Sequence, residues 1–237
     1  MTITVVYDNQ PCREALESGW GFSALITGME KTILFDTGRD DSLLNNMKML
    51  AIEPESIDLV FLSHIHPDHT GGLQTFLQNN SNVTIYLPQS FPDEFKIELT
   101  ARGARIVEVG QPLAICEGVY STGQVGRWLR EQSLILRTER GIVLITGCSH
   151  PGIVTMVKAA GKLFGDDILL VMGGFHLEWA SRRKIERIVA AFKELAVRYV
   201  APAHCAGERA KALFQRQFQQ NYISIGAAAT INLDELL

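Results

Sequence analysis

The chain has 237 residues, 46% of them hydrophobic and 20% charged, an ordinary globular composition without low-complexity segments. Its 26 acidic and 22 basic residues leave a net charge of −4, which argues against non-specific binding to nucleic acid. No apolar run approaches the roughly 20 residues of a membrane helix. The start, MTITVVYDNQ, lacks the basic stretch and long apolar core of a signal peptide.

None of the four cysteines, Cys12, Cys116, Cys148 and Cys205, belongs to a CxxC pair. Reduced thiols in a cytoplasmic protein, with no membrane and no nucleic-acid partner, are the expectation.

In chain order, TITVVY, FSALIT and KTILFD predict strands, with Gly28-Met29-Glu30 as the turn between the last two. Leu43, Leu44, Met47 and Leu50 lie at helical spacing and predict a helix from about Asp41 to Leu50. IDLVFLS is continuously apolar and suits a strand buried on both faces. The middle reads mostly as strands: VTIYLP, ARIVEV, PLAICEGVYST and SLILRT, followed by IVLITG. Then the pattern becomes βα: a helix from about Pro151 to Phe164, the strand DILLVMGG, and a helix from about Ser181 to Ala196. The strand RYVAPA and a helix near Glu208 to Phe218 close the series. With no Pro/Ser linker, residues 1–237 read as one α/β domain, strand-rich sheets covered by helices.

The densest chemistry lies in SHIHPDHTGG, just past the IDLVFLS strand. On an extended segment residues i and i+2 point the same way, so His64 and His66 project together. Asp68 and His69 follow after Pro67, where the chain must turn. Imidazoles suit zinc and its neighbours, and a carboxylate adds an oxygen ligand. Four such groups on so short a stretch split naturally into two pairs for two adjacent ions. Surface histidines in a loop are the competing reading, and the buried strand before them argues against it. Three of the six histidines remain, His150, His176 and His204. Each stands at or just past an apolar strand, where α/β folds place their sites.

With LFDTG at Leu34 to Gly38, SHIHPDHTGG, VLITGC ending at Cys148, and APAHC around His204, the chain resembles the metallo-β-lactamase-fold superfamily along nearly its whole length. The resemblance implies an αββα sandwich with a metal site at one edge of the two sheets. It assigns His64 and His66 to a first ion, Asp68 and His69 to a second, and His204 as a late ligand. Asp36 is then a supporting residue, holding a ligand imidazole by its other ring nitrogen.

Two departures stand out. The usual first-site histidine before the T-G-D strand is missing from STGQVG, and Cys148 stands where T-G-D has Asp. His150 lies two residues later and is placed to replace the missing histidine; its competing role is a helix N-cap. Cys148 reads equally as a thiolate ligand or as a small buried residue at a strand end. Cys205 is read as core. His176 follows Gly173-Gly174 and reads either as a group for substrate or proton transfer or as a structural histidine. Arg127, Arg130, Arg137 and Arg140 read as a solvated face.

The strings GCSHPGI, GGFHL and PAHC resemble the subgroup containing archaeal synthases that join an aminobenzoate to phosphoribosyl pyrophosphate. The expected function is a metal-dependent hydrolase whose two divalent ions, zinc before manganese or iron, activate a bridging water or hydroxide, with Asp68 and His176 as its catalytic residues. The alternatives are a transferase of that subgroup and a non-catalytic metal-binding domain. The expected partner is a small-molecule substrate, phosphorylated in the transferase reading. The sequence leaves open whether the chain is a monomer or a homodimer.

Overall fold

A computed structural model describes residues 1–236. The chain opens with β1 (Thr2–Tyr7), β2 (Ser23–Thr27) and β3 (Ile33–Phe35), followed by α1 (Ser42–Met49) and β4 (Leu59–Phe61). The short α2 (Pro67–Thr70) and α3 (Leu73–Asn79) lead to β5 (Thr84–Pro88), α4 (Asp93–Ala101) and β6 (Arg105–Val109). Next come β7 (Leu113–Cys116), β8 (Val119–Ser121), β9 (Leu134–Thr138) and β10 (Gly141–Thr146). The last part alternates α5 (Ile153–Phe164), β11 (Ile168–Gly174), α6 (Arg182–Glu194), β12 (Tyr199–Ala203) and α7 (Glu208–Phe218), and ends in β13 (Thr230–Asn232).

These elements form two compact units, Met1–Gly110 with the chain from Gly226 onward, and Gln111–Ile225. The first unit holds a seven-stranded sheet in the order β13-β1-β2-β3-β4-β5-β6. Its β13–β1–β2–β3 portion is antiparallel, and β3 through β6 are parallel. Helices pack by apolar stripes at i, i+3 and i+4: Leu43 and Met47 of α1, and Leu73, Phe76 and Leu77 of α3, join Val60, Leu62 and Ile85 in one core. Gly71 and Gly72 let α3 start against the loop after β3. A Cβ on Gly71 would land on the Arg39 carbonyl, and one on Gly72 on the Thr37 carbonyl.

The second unit holds a six-stranded sheet in the order β12-β11-β10-β9-β8-β7. Strands β10, β11 and β12 are parallel, and β7 to β10 form an antiparallel meander. Ile153, Met156, Val157 and Ala160 of α5, Ile185, Val189 and Phe192 of α6, and Ala210 and Phe214 of α7 form its core with Phe175. The rings of Phe175, Phe192 and Phe214 lie at centroid distances of 5.3–5.7 Å, the range of favourable edge-to-face packing. Ser181 caps α6 by accepting the Lys184 N–H, and Gly165 ends α5 in a left-handed conformation at φ 69°.

The sequence-based elements differ from the structure in a few places. PLAICEGVYST is not one strand but the hairpin β7–β8, turning at Gly118 with φ 72°. The strand expected over IDLVFLS pairs only over Leu59–Phe61. Helix α4 was not expected, because it buries only Leu99 and leaves Ile97 exposed, so it carries almost no apolar periodicity. Strand β13 is three residues long and exists by pairing with β1, Ile3 opposite Ile231. Among the described residues, no helix is long and apolar enough to cross a membrane.

Candidate metal centre

In the first unit, the parallel register of β3 and β4 brings two strand ends side by side. Phe35 faces Phe61, and the next residue continues the ladder, Asp36 N–H donating to the Phe61 carbonyl at 2.9 Å. Asp36 then turns out of the strand with φ 49°, a left-handed conformation that a non-glycine residue adopts at a cost and that clusters at functional sites. Its carboxylate is fully buried and takes three donors at 2.7 Å: the Ser63 N–H, the Ser63 hydroxyl and His69 Nδ1.

This arrangement determines the histidine tautomers. The Ser63 hydroxyl spends its one proton on Asp36, so His64 Nδ1, 2.9 Å away, must be the donor to Ser63 Oγ. Both His64 and His69 thus carry a proton on Nδ1 and turn Nε2 toward the cluster. His66, half-buried, meets His64 Nε2 through its own Nδ1 at 3.2 Å. The ring centroids of His64 and His69 lie 4.2 Å apart, and an Asp68 oxygen lies 3.5 Å from His69 Nε2. Asp68 and His69 sit in the first turn of α2 rather than in an open turn, with His66 as its N-cap and Pro67 at the first helical position.

Burial alone would push the His69 imidazole down, but the Asp36 carboxylate, with Asp68 assisting, outweighs it and raises the pKa to about 10. The two carboxylates thus favour positive charge at this corner of the protein. Its Nε2 atoms, Nδ1 of His66 and the Asp68 carboxylate are chemically a donor set for a borderline-soft divalent ion.

In the second unit, the residues singled out from the sequence gather at the carboxyl ends of the three parallel strands. Thr146 faces Gly173, and Gly174 faces Ala203. Cys148, His176 and His204 follow within a few residues of those ends. Ser149, His176 and His204 adopt positive φ of 64°, 53° and 47°, so local strain concentrates here as it does at Asp36. Cys148 and His204 are buried, His150 is half-buried and His176 is exposed. The His150 and His176 rings lie 4.4 Å apart.

Two residues here were not singled out from the sequence for the roles they hold. Glu131 is fully buried and accepts three successive backbone N–H groups, from Cys148 at 3.0 Å, Ser149 at 2.7 Å and His150 at 2.9 Å. It clamps the GCSH loop into shape. A glutamate in an exposed-looking GRWLREQ stretch gives no sequence signal of this; only three consecutive amides left without helix or sheet partners would have pointed to it. Cys205, expected as core, is buried, but its sulfur accepts the His176 N–H at 3.3 Å and faces the Cys148 carbonyl at 3.6 Å. Burial opposes ionisation of this thiol, yet hydrogen bonds with Cys148 and His176 lower its pKa well below the usual range. The hydrogen bond to Cys205 raises His176 in turn, against its partial burial. Arg127, Arg130, Arg137 and Arg140 are all exposed, as expected of a solvated face.

The sequence model of the metallo-β-lactamase superfamily matches residues 21–165, and the chain belongs to that superfamily. It is 31% identical to the 7,8-dihydropterin-6-methyl-4-(β-D-ribofuranosyl)-aminobenzene-5′-phosphate synthase of Methanocaldococcus jannaschii, over 89% of each chain. It matches the crystal structure of Tm1679, a metal-dependent hydrolase of the β-lactamase superfamily, with a TM-score of 0.83 and 31% identity over 98% of each chain. The short form of human tRNase Z shares the fold at 16% identity and a TM-score of 0.67, over 98% of this chain and 99% of that one. The α/β class and the metallo-β-lactamase fold expected from the sequence are thus borne out.

Proposed function

We propose that the chain is a cytoplasmic, single-domain metal-dependent hydrolase that holds two divalent ions, zinc before manganese or iron. In this reading His64, His66, Asp68 and His69 of the first unit, and Cys148, His150 and His204 of the second, are the metal ligands. The observation that carries it is the Asp36–Ser63 relay, which commits Nδ1 of both His64 and His69 to protein partners and leaves Nε2 of each for a cation. When bound, the ions supply Lewis acidity, lowering the pKa of water and stabilising negative charge on a substrate oxygen.

The protein groups do the rest. Asp68, partly exposed beside His69, orients the attacking water and accepts its proton. His176, exposed at the strand edge, exchanges a proton with the departing group. Glu131 holds the loop from Cys148 to His150 in place, so that both side chains keep one position.

The first test is Asp68→Ala. Turnover of a small-molecule ester or phosphoester should be lost, while metal at the His64/His66 position is largely kept. Undiminished rates in that variant would sink the scheme.

A second reading is supported by the identity to the M. jannaschii synthase: a transferase using phosphoribosyl pyrophosphate. In that case the ions bind pyrophosphate, and His176 acts near the ribose. Release of pyrophosphate from phosphoribosyl pyrophosphate plus an aromatic acid would favour it over hydrolysis; absence of release would remove it.

A further inference from the structure

We propose that Cys148, His176 and Cys205 form an additional, thiolate-rich binding site for a soft, thiophilic cation, separate from the histidine and aspartate ligands of the first unit. The two sulfurs and the imidazole nitrogen all lie within 4.8 Å of one another. Around a tetrahedral ion with metal–sulfur bonds of about 2.3 Å, two sulfurs stand about 3.8 Å apart. Small side-chain rotations close that difference.

Three features of the second unit shape this pocket. The His176 N–H donates to the Cys205 sulfur at 3.3 Å, a bond that strengthens when the sulfur is a metal-bound thiolate. Gly174 lets the end of β11 pack closely against that sulfur, since a Cβ there would stand 2.7 Å from it. The left-handed turn at His176, φ 53°, lets one residue present its N–H to Cys205 while its ring joins the same cluster. Meanwhile Cys148 is held by Glu131 through its own N–H. Two sulfurs and one imidazole suit zinc, cadmium or cuprous copper and exclude magnesium or calcium, which require oxygen. The inference rests on the proposed function only in sharing Cys148; a thiolate sulfur can serve two cations at once.

The test uses the full chain with Cys12 and Cys116 replaced by serine, so that the remaining thiols are Cys148 and Cys205. One equivalent of cadmium is added, and its sulfur coordination is counted by X-ray absorption. The expected result is about two sulfurs and at least one nitrogen per cadmium. Adding Cys205→Ser should leave about one sulfur and halve the thiolate-to-cadmium absorption band, and His176→Ala should weaken cadmium binding at least tenfold. One sulfur or none in the chain that retains both thiols overturns the proposal. So does a Cys148–Cys205 disulfide, seen as a loss of two hydrogens by mass, that forms equally fast with and without cadmium. His64→Ala with His66→Ala separates the two readings: it should remove metal from the proposed hydrolytic centre and leave the two-sulfur cadmium signature unchanged.

Discussion

Asp36 and His69, 33 residues apart in sequence and both without solvent exposure, are joined by a 2.7 Å contact between a carboxylate oxygen and Nδ1. The same carboxylate also holds Ser63 through its N–H and its hydroxyl. Replacing Asp36 with alanine strands three buried donors at once. The expected loss is about 3–5 kcal/mol of stability, the scale for breaking a buried pair, read by urea denaturation of metal-free protein. Asp36→Asn keeps the shape but removes charge, and should lower metal affinity about 10- to 100-fold, read by competition with a chelator. Unchanged affinity in that variant would contradict the tautomer assignment.

The raised His69 pKa makes the stability of metal-free protein depend on pH. The folded value, about 10, exceeds the ordinary imidazole value of 6.5. The protonated ring therefore contributes stability that is fully present below pH 6.5 and is lost as pH rises through about 10. Denaturation midpoints in chelator should fall across that window, and Asp36→Asn should flatten the profile. Metal binding at His69 must displace the same proton, so apparent affinity should rise with pH over this range.

Glu131 offers a second handle. In Glu131→Gln one oxygen can still accept from Cys148 and Ser149, whereas an amide group would meet the His150 N–H. The expected cost is about 1–3 kcal/mol together with a large drop in turnover, because the loop carrying Cys148 and His150 loses its anchor. Thermal denaturation and steady-state kinetics separate the two effects. A variant with full stability and full activity would show that the clamp is dispensable.

Gly173 tests the close approach of β10 and β11. Its φ is 105°, and a Cβ there would fall on the Thr146 carbonyl. Gly173→Ala should destabilise the second unit by about 2–5 kcal/mol, combining backbone strain with overpacking. Gly161→Ala is the control: it lies inside α5, where a Cβ meets only Ile168 at 3.8 Å, and it should be neutral or stabilising. The denaturation midpoint should fall in Gly173→Ala and hold or rise in Gly161→Ala.

The sequence by itself determined the strands and helices with strong periodicity, the HxHxDH cluster and the superfamily. These are carried by neighbours in the chain: β4 leading into His64, Asp68 beside His69, and the apolar stripes of α5, α6 and α7. It also placed Asp36 as a supporting residue, but only through the resemblance. Only the tertiary structure decided what lies between distant residues. The β3–β4 register sets Asp36 against Ser63 and His69. The meander from β8 through β9 to β10 brings the carboxylate of Glu131 onto the amides of Cys148 to His150. The parallel ends of β10, β11 and β12 collect Cys148, His176 and Cys205 within 4.8 Å. Periodicity reports which face of an element is apolar, whereas hydrogen bonds from one strand end to another depend on register and backbone turn, which no local pattern encodes.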